Sequence, residues 1–157
     1  MIKVNIVAVG RIKEKYYIDA VNEYAKMLSR FCELNIIEVE EYNFKKFDAS
    51  LVSQIKEKEG ERILPYLKGF VVGLSPEGKH FSSVEFAQKI QQQNSYGSGV
   101  FTFVIGGSYG IADDIKEKCN LIMSFSKMTF PHTLFRVMLT EQLYRAFSIN
   151  AGGAYNK

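Results

Sequence analysis

The feature that most constrains this chain is a hydrophobic period that switches repeatedly between two and three-to-four. "IKVNIVAV" (2–9) is β-branched and mostly alternating, which predicts a strand. From Glu14 to Phe31, Tyr17, Ala20, Val21, Tyr24, Leu28 and Phe31 recur at three and four, the pattern of an amphipathic helix. "ELNIIEV" (33–39) predicts a second strand, 40–49 a loop, and 50–64 a charged helix that stops near Pro65. "FVVGL" (70–74) predicts a short buried strand and "SPEGK" (75–79) a turn built on Pro76 and Gly78. "SSVE" (82–85) has the form of a capping box, Ser82 with Glu85, opening a helix to about Gln93. After a loop at 94–99 come a buried strand, "VFTFVI" (100–105), and a short helix from about Asp113 to Cys119. A last strand, "LIMSF" (121–125), precedes a long helix from Pro131 to about Ile149.

Strand and helix therefore alternate five times. That order predicts an α/β fold, a mostly parallel sheet with helices on both faces. Length of 157 residues and 46% apolar content suit one domain over 1–157. Ligands of such sheets bind beyond the carboxyl ends of the strands. Loops beginning near Leu74, Gly106 and Phe125 leave the last three strands, so a pocket is expected there. No apolar run approaches ~20 residues, which argues against a membrane span. The first segment is interrupted by Asn5 and lacks a cleavage site, so it is not read as a signal peptide. Cys32 and Cys119 are far apart and in no metal-type spacing. Both are read as reduced thiols of a cytoplasmic protein, and no metal site is expected.

"IGGSYG" (105–110) ends the fourth strand. It is neither the dinucleotide fingerprint nor a P-loop, since the first needs G-x-G-x-x-G and the second a Gly-Lys-Ser/Thr. A tight structural turn and a ligand site are equally compatible with it. The last helix is more specific. Leu134, Val137, Met138, Leu139, Leu143, Ala146 and Phe147 cover most of its circumference. Such a helix is buried on several sides, by a second subunit or as the central helix of one. His132 and Arg136 share a face, as do Glu141 and Arg145. The net charge of +3 lies wholly in residues 119–157, where Lys127, Arg136, Arg145 and Lys157 stand against Glu141 alone. Chance accounts for so small an excess, or it is a patch that faces a polyanion such as RNA.

"KEGERIL" (58–64), "EGKHFSSVEFA" (77–87), "FVIGGSYG" (103–110) and "SFSKMTFPHTLFRVMLTEQLYRAFSI" (124–149) together resemble the RlmH family, knotted methyltransferases of the SPOUT superfamily. The resemblance runs from Met1 to Lys157 and is weakest at 40–55. It implies a C-terminal trefoil knot, a homodimer and S-adenosylmethionine as methyl donor. It also implies methylation of N3 of a pseudouridine in the large-subunit ribosomal RNA of the ribosome. By the same resemblance, Leu74, Gly106 and the loop Phe125, Ser126, Lys127, Met128, Thr129 and Phe130 hold the cofactor. Leu74 can lie against adenine, and Gly106 with Gly107 lets backbone come close. Methyl transfer then needs alignment of the acceptor nitrogen and removal of its proton. His132, Arg136, Glu141 and Tyr155 are the catalytic candidates, with Arg136, Arg145 and Lys157 able to anchor phosphates.

The family usually ends in Tyr-His and a basic residue. This chain ends "AYNK", so Tyr155 and Lys157 remain while Asn156 stands where His is expected. Asn accepts no proton at neutral pH, so position 156 is read as orienting the base on the RNA-binding side. Two other readings are a knotted methyltransferase acting on tRNA or a 2′-hydroxyl, and a ribosome-associated binding module without turnover.

Overall fold

The computed structural model describes residues 1–46 and 48–157. Among the described residues five strands and five α-helices alternate: β1 (Ile2–Val9), α1 (Lys15–Leu28), β2 (Cys32–Val39), α2 (Val52–Ile63), β3 (Phe70–His80), α3 (Ser83–Tyr96), β4 (Val100–Ile105), α4 (Asp113–Lys118), β5 (Leu121–Ser124) and α5 (His132–Asn150). Single 3₁₀ turns, Ala49–Leu51 and Leu64–Tyr66, flank α2, and Pro65 sits in the second, where a missing N–H costs nothing. Of the loop expected over 40–49, Phe47 lies outside the described residues.

The strands form one sheet in the order β2-β1-β4-β3-β5, and every pairing is parallel. Alternation along the strands divides the core in two. Val4, Ile6 and Ala8 of β1 point to the face covered by α1, α3 and α5, with Leu28, Phe86 and Leu143 packed there. Val7 and Val9 point to the other face, covered by α2 and α4 through Ile63 and Ile115. The expectation of helices on both faces holds.

Three local expectations need correction. α1 ends at Leu28, and Phe31 lies beyond it, stacked on Phe147 with ring centroids 6.1 Å apart. α3 runs on to Tyr96, so 94–96 are helical. "SPEGK" is not a turn that ends the strand. β3 continues to His80, and both Leu74 and Lys79 are in register with Met123. Ser75–Gly78 thus bulge out of a strand that re-pairs with β5 afterwards. Pro76, which lacks an N–H, is tolerated at a bulge. Gly78 is required for close approach, since a Cβ there would lie 2.6 Å from the Ile122 carbonyl oxygen.

The capping box forms as read: the Glu85 N–H donates to Ser82 Oγ at 3.1 Å and the Ser82 N–H to Glu85 Oε1 at 2.9 Å. Ser82→Ala is expected to lower Tm by about 2–4 °C in a scanning calorimeter. An unchanged Tm would mean that packing of Phe86 and Ile90 alone holds the helix.

α5 lies on the sheet between α1 and α3 and buries Leu139, Leu143, Ala146 and Phe147. The sheet, α1 and α3 thus cover part of its apolar circumference within one chain. Leu134, Val137 and Met138 stay partly exposed.

Candidate active site

Because the sheet is wholly parallel, the loops after all five strands meet at one edge. A cleft of about 660 Å³ opens there, between the ends of β3, β4 and β5 and the start of α5. Seven of the eight residues expected to hold the cofactor line it: Leu74, Gly106, Phe125, Ser126, Met128, Thr129 and Phe130. Lys127 is exposed and outside the lining.

The glycine turn is a close-approach device. A Cβ on Gly106 would lie 2.7 Å from the Gly110 carbonyl carbon and 2.8 Å from its oxygen. The turn closes through the Gly110 N–H donating to the Gly107 carbonyl at 3.0 Å, and Gly110 has a φ of +88°, where a side chain is strained. The loop after β5 holds its own shape. Ser124 Oγ donates to the Ser126 carbonyl at 3.0 Å, and the Met128 N–H donates to Ser126 Oγ at 3.1 Å. Phe135 of α5 clamps both ends, 4.8 Å from the Phe125 ring and 6.5 Å from the Phe130 ring.

His132 opens α5 and lines the cleft, and its ring packs against Gly10. Its Nδ1 is buried and without a hydrogen-bond partner among the described residues. Arg136, one turn on, lines neither the cleft nor the neighbouring groove. It is 1% exposed, ion-paired with Glu38 and donating to the Gly10 carbonyl at 3.1 Å. It ties α5 to the ends of β1 and β2. The structure therefore gives Arg136 a structural post in place of the catalytic or phosphate-anchoring one expected.

Glu141, Arg145, Tyr155 and Asn156 come together elsewhere. Arg145 donates through Nε to Glu141 Oε1 at 2.8 Å and through Nη1 to Asn156 Oδ1 at 3.1 Å, and its Cζ lies 4.7 Å from the Tyr155 ring centroid. The tail turns back because Gly152, with a φ of +75°, ends α5, and the Gly153 N–H caps the Ser148 carbonyl. Burial, then Glu141 and Tyr24, push the Tyr155 phenol above its ordinary value. Tyr155 is thus a neutral hydrogen-bond donor at pH 7, not a base. Glu141 lines a second groove of about 390 Å³ bordered by α1, α3 and α5. Phe125 and Phe130 line both cavities.

Of the four cations in the last 39 positions, two are consumed internally, Arg136 by Glu38 and Arg145 by Glu141. Lys127 and Lys157 remain exposed and without ion pairs among the described residues. The basic patch read from net charge is thus half its expected size. Cys32 and Cys119 are free, with burial pushing each thiol up to about 11. Neither is a nucleophile at neutral pH.

The loop expected to begin near Leu74 supplies Ser75, Pro76 and Glu77 to the cleft's far wall. The sequence reading missed Lys56 of α2 and Lys116 of α4, which complete that wall, Lys116 bonding Glu77 at 3.2 Å. It also missed Glu59, which is 2% exposed on the inner face of α2. A signal was present: Ile55, Glu59 and Ile63 recur every fourth residue, so the carboxylate occupies an apolar register. Burial raises the Glu59 carboxyl from its ordinary value, against the Tyr42 N–H, which donates to its Oε2 at 3.2 Å. A raised folded-state value means that Glu59's contribution to stability is complete below the unfolded value and lost as pH rises through the folded one. Glu59→Gln is expected to raise Tm more at pH 8 than at pH 5; an equal shift at both would show that the carboxyl stays charged.

Over residues 2–156 the chain matches the profile of a family described as "Predicted SPOUT methyltransferase". It is similar to "Ribosomal RNA large subunit methyltransferase H" of Clostridium acetobutylicum, with 49% identity across 98% of this chain and 99% of that one. Proteins of the same name from Bifidobacterium animalis subsp. lactis and Latilactobacillus sakei subsp. sakei are 48% and 45% identical, each with 98% of this chain and 99% of the relative aligned. Among solved structures, a probable methylase family protein from Haemophilus influenzae Rd KW20 superposes with a TM-score of 0.56 at 15% identity, covering 98% of this chain and 70% of that one. That likeness supports the fold.

Proposed function

The chain belongs to the SPOUT methyltransferase family, and from that premise we propose that it methylates N3 of a pseudouridine in large-subunit ribosomal RNA. It is an S-adenosylmethionine-dependent ribosomal RNA methyltransferase. The observation that supports methyl-donor binding is the cleft at the carboxyl edge, with Leu74, Gly106 and the loop after β5 converging on one space, while the choice of acceptor rests on the likeness to the relatives. These residues fit the cofactor. Leu74 and Phe125 offer apolar walls to an adenine, and the Gly106–Gly107 turn lets main-chain groups reach its polar edge. When bound, S-adenosylmethionine supplies a methyl already activated by its sulfonium.

The protein's share of the work is positioning and proton handling. We assign removal of the N3 proton to His132, which lines the cleft. Tyr155, a neutral donor, and Asn156, held by Arg145, orient the base through hydrogen bonds. The target nucleotide leaves its stack to reach them. Lys127 and Lys157 meet phosphates. Few free cations imply weak binding to isolated RNA, which favours the assembled ribosome as substrate.

None of the tail cluster lines the cleft in one subunit: Glu141 lines the groove, and the groove shares Phe125 and Phe130 with the cleft. A homodimer in which one subunit's tail faces the other's cleft brings both halves together, and the C-terminal trefoil knot belongs to this reading. Mixing Gly106→Ala chains with Arg145→Ala chains, each inactive alone, is expected to restore roughly a quarter of wild-type activity through hybrid dimers carrying one intact site. No recovery in a mixture that demonstrably exchanges subunits would mean each chain builds its own site.

The function is tested with S-adenosylmethionine carrying a labelled methyl and ribosomes from cells lacking this protein, in parallel with free ribosomal RNA and tRNA. Label mapped by mass spectrometry to N3 of one large-subunit pseudouridine is the expected result. Label on tRNA or on a 2′-hydroxyl overturns it. Bound cofactor with no label on any RNA would make the protein a binding module.

A further inference from the structure

Glu59 lies directly beneath the glycine turn. A Cβ built on Gly107 would stand 2.9 Å from Glu59 Oε1 and 3.2 Å from Oε2, so the Gly107 backbone rests on the carboxyl. Gly107 itself lines the cleft above. Only Oε2 is satisfied, by the Tyr42 N–H; Oε1 is buried and has no hydrogen-bond partner among the described residues. Arg62 offsets the burial only in part and makes no ion pair with the group; its guanidinium donates to the Glu40 carbonyl at 2.8 Å and packs over the Tyr42 ring. Glu41, the other charged neighbour, pushes the same way as burial.

An apolar side chain is the inexpensive occupant of this register, as Ile55 and Ile63 on either side illustrate. A carboxyl with an oxygen left over in a dry place is costly, and buried polar atoms without partners cluster where a partner arrives later. The surface this oxygen faces is the turn that the cofactor must approach.

We propose that Glu59 is a positioning residue for cofactor binding, and that its free carboxyl oxygen makes a hydrogen bond to the Gly106–Gly107 backbone when the cofactor seats on the other side. This rests on reading the cleft as the S-adenosylmethionine site. The free oxygen pairs with a main-chain polar group of the turn and stiffens it in the shape that fits the ligand, with no covalent bond made or broken.

Two variants separate this role from simple packing. Glu59→Gln is near in shape and keeps a hydrogen-bonding group at the same place. Glu59→Leu keeps the volume and removes every polar group, and it replaces a poorly satisfied buried acid, so it should fold. Affinity for S-adenosylmethionine is measured by titration calorimetry, with KM for the cofactor and kcat from methyl transfer to ribosomes. The expected result is near wild-type affinity for the Gln variant, with affinity at least tenfold weaker and KM raised in parallel for the Leu variant, its kcat at saturating cofactor within about threefold of wild type. Any other pattern overturns the inference, including equal binding by all three proteins, equal weakening in both variants, or a fall in kcat at unchanged KM. Failure of the wild-type protein to bind S-adenosylmethionine would be a failure of the functional reading itself, and would take the inference with it.

Discussion

Gly106→Ala is expected to weaken S-adenosylmethionine binding by at least a hundredfold while the protein stays folded. A methyl group there has nowhere to go. The atoms it meets, 2.7 and 2.8 Å away, are the carbonyl carbon and oxygen of Gly110, main chain that cannot rotate aside as a side chain would. Ile111 Cγ1 stands 3.0 Å off on a third side. The turn must open, which carries the Gly107 and Gly110 backbone away from the ligand. The cost falls mainly on the cleft, because Val104 and Ile105 end the buried part of β4 before the turn begins and Ile111 is the one core side chain met. Calorimetric titration of cofactor and a thermal melt of the free protein read the two effects separately. A variant that binds normally would show that the cofactor does not depend on the turn; one that melts like an unfolded chain would show that the turn is part of the fold's core.

Arg136→Met is expected to destabilise the protein by about 2–4 kcal/mol, less than breaking a fully enclosed pair because Glu38 retains some access to water. For a chain of this length that is a fall in Tm of about 5–15 °C. The guanidinium is buried to 1% exposure and reaches from α5 to both the Gly10 carbonyl and Glu38, so the variant strands a carboxylate and a carbonyl together. Adding Glu38→Gln to the same chain is expected to restore part of the loss, since the orphaned charge goes with it. Denaturant titration of the single and double variants measures this. Loss of methyl transfer with unchanged stability would return Arg136 to the chemistry.

The same residue illustrates why some of the site was legible in the sequence and some was not. His132, Arg136, Glu141 and Arg145 share faces of one helix by spacing alone, and the spacing was readable. That Arg136 faces inward to Glu38, 98 positions away, depends on which strands lie under the helix, and no local pattern carries that. Glu141 with Arg145 formed as its i, i+4 spacing suggested. The strands were legible because period-two apolar runs bury one face or both regardless of topology. "SPEGK" was misread because proline and glycine mark a bulge as well as a turn, and only the renewed pairing of Lys79 with Met123 tells them apart. Glu59 was legible in principle as a carboxylate at an apolar position, but its place under Gly107 depends on the α2 packing that tertiary structure alone supplies.

Phe125 and Phe130 belong to both the cleft and the neighbouring groove, a partition two rings thick. Whatever settles against one side sets the tilt of those rings for the other. Thermodynamic reciprocity then applies: if a body seated in the groove tightens the donor's hold in the cleft by some factor, the donor tightens the grip on that body by the same factor. A ligand that loosened one compartment would be loosened by the occupant of the other to the same degree.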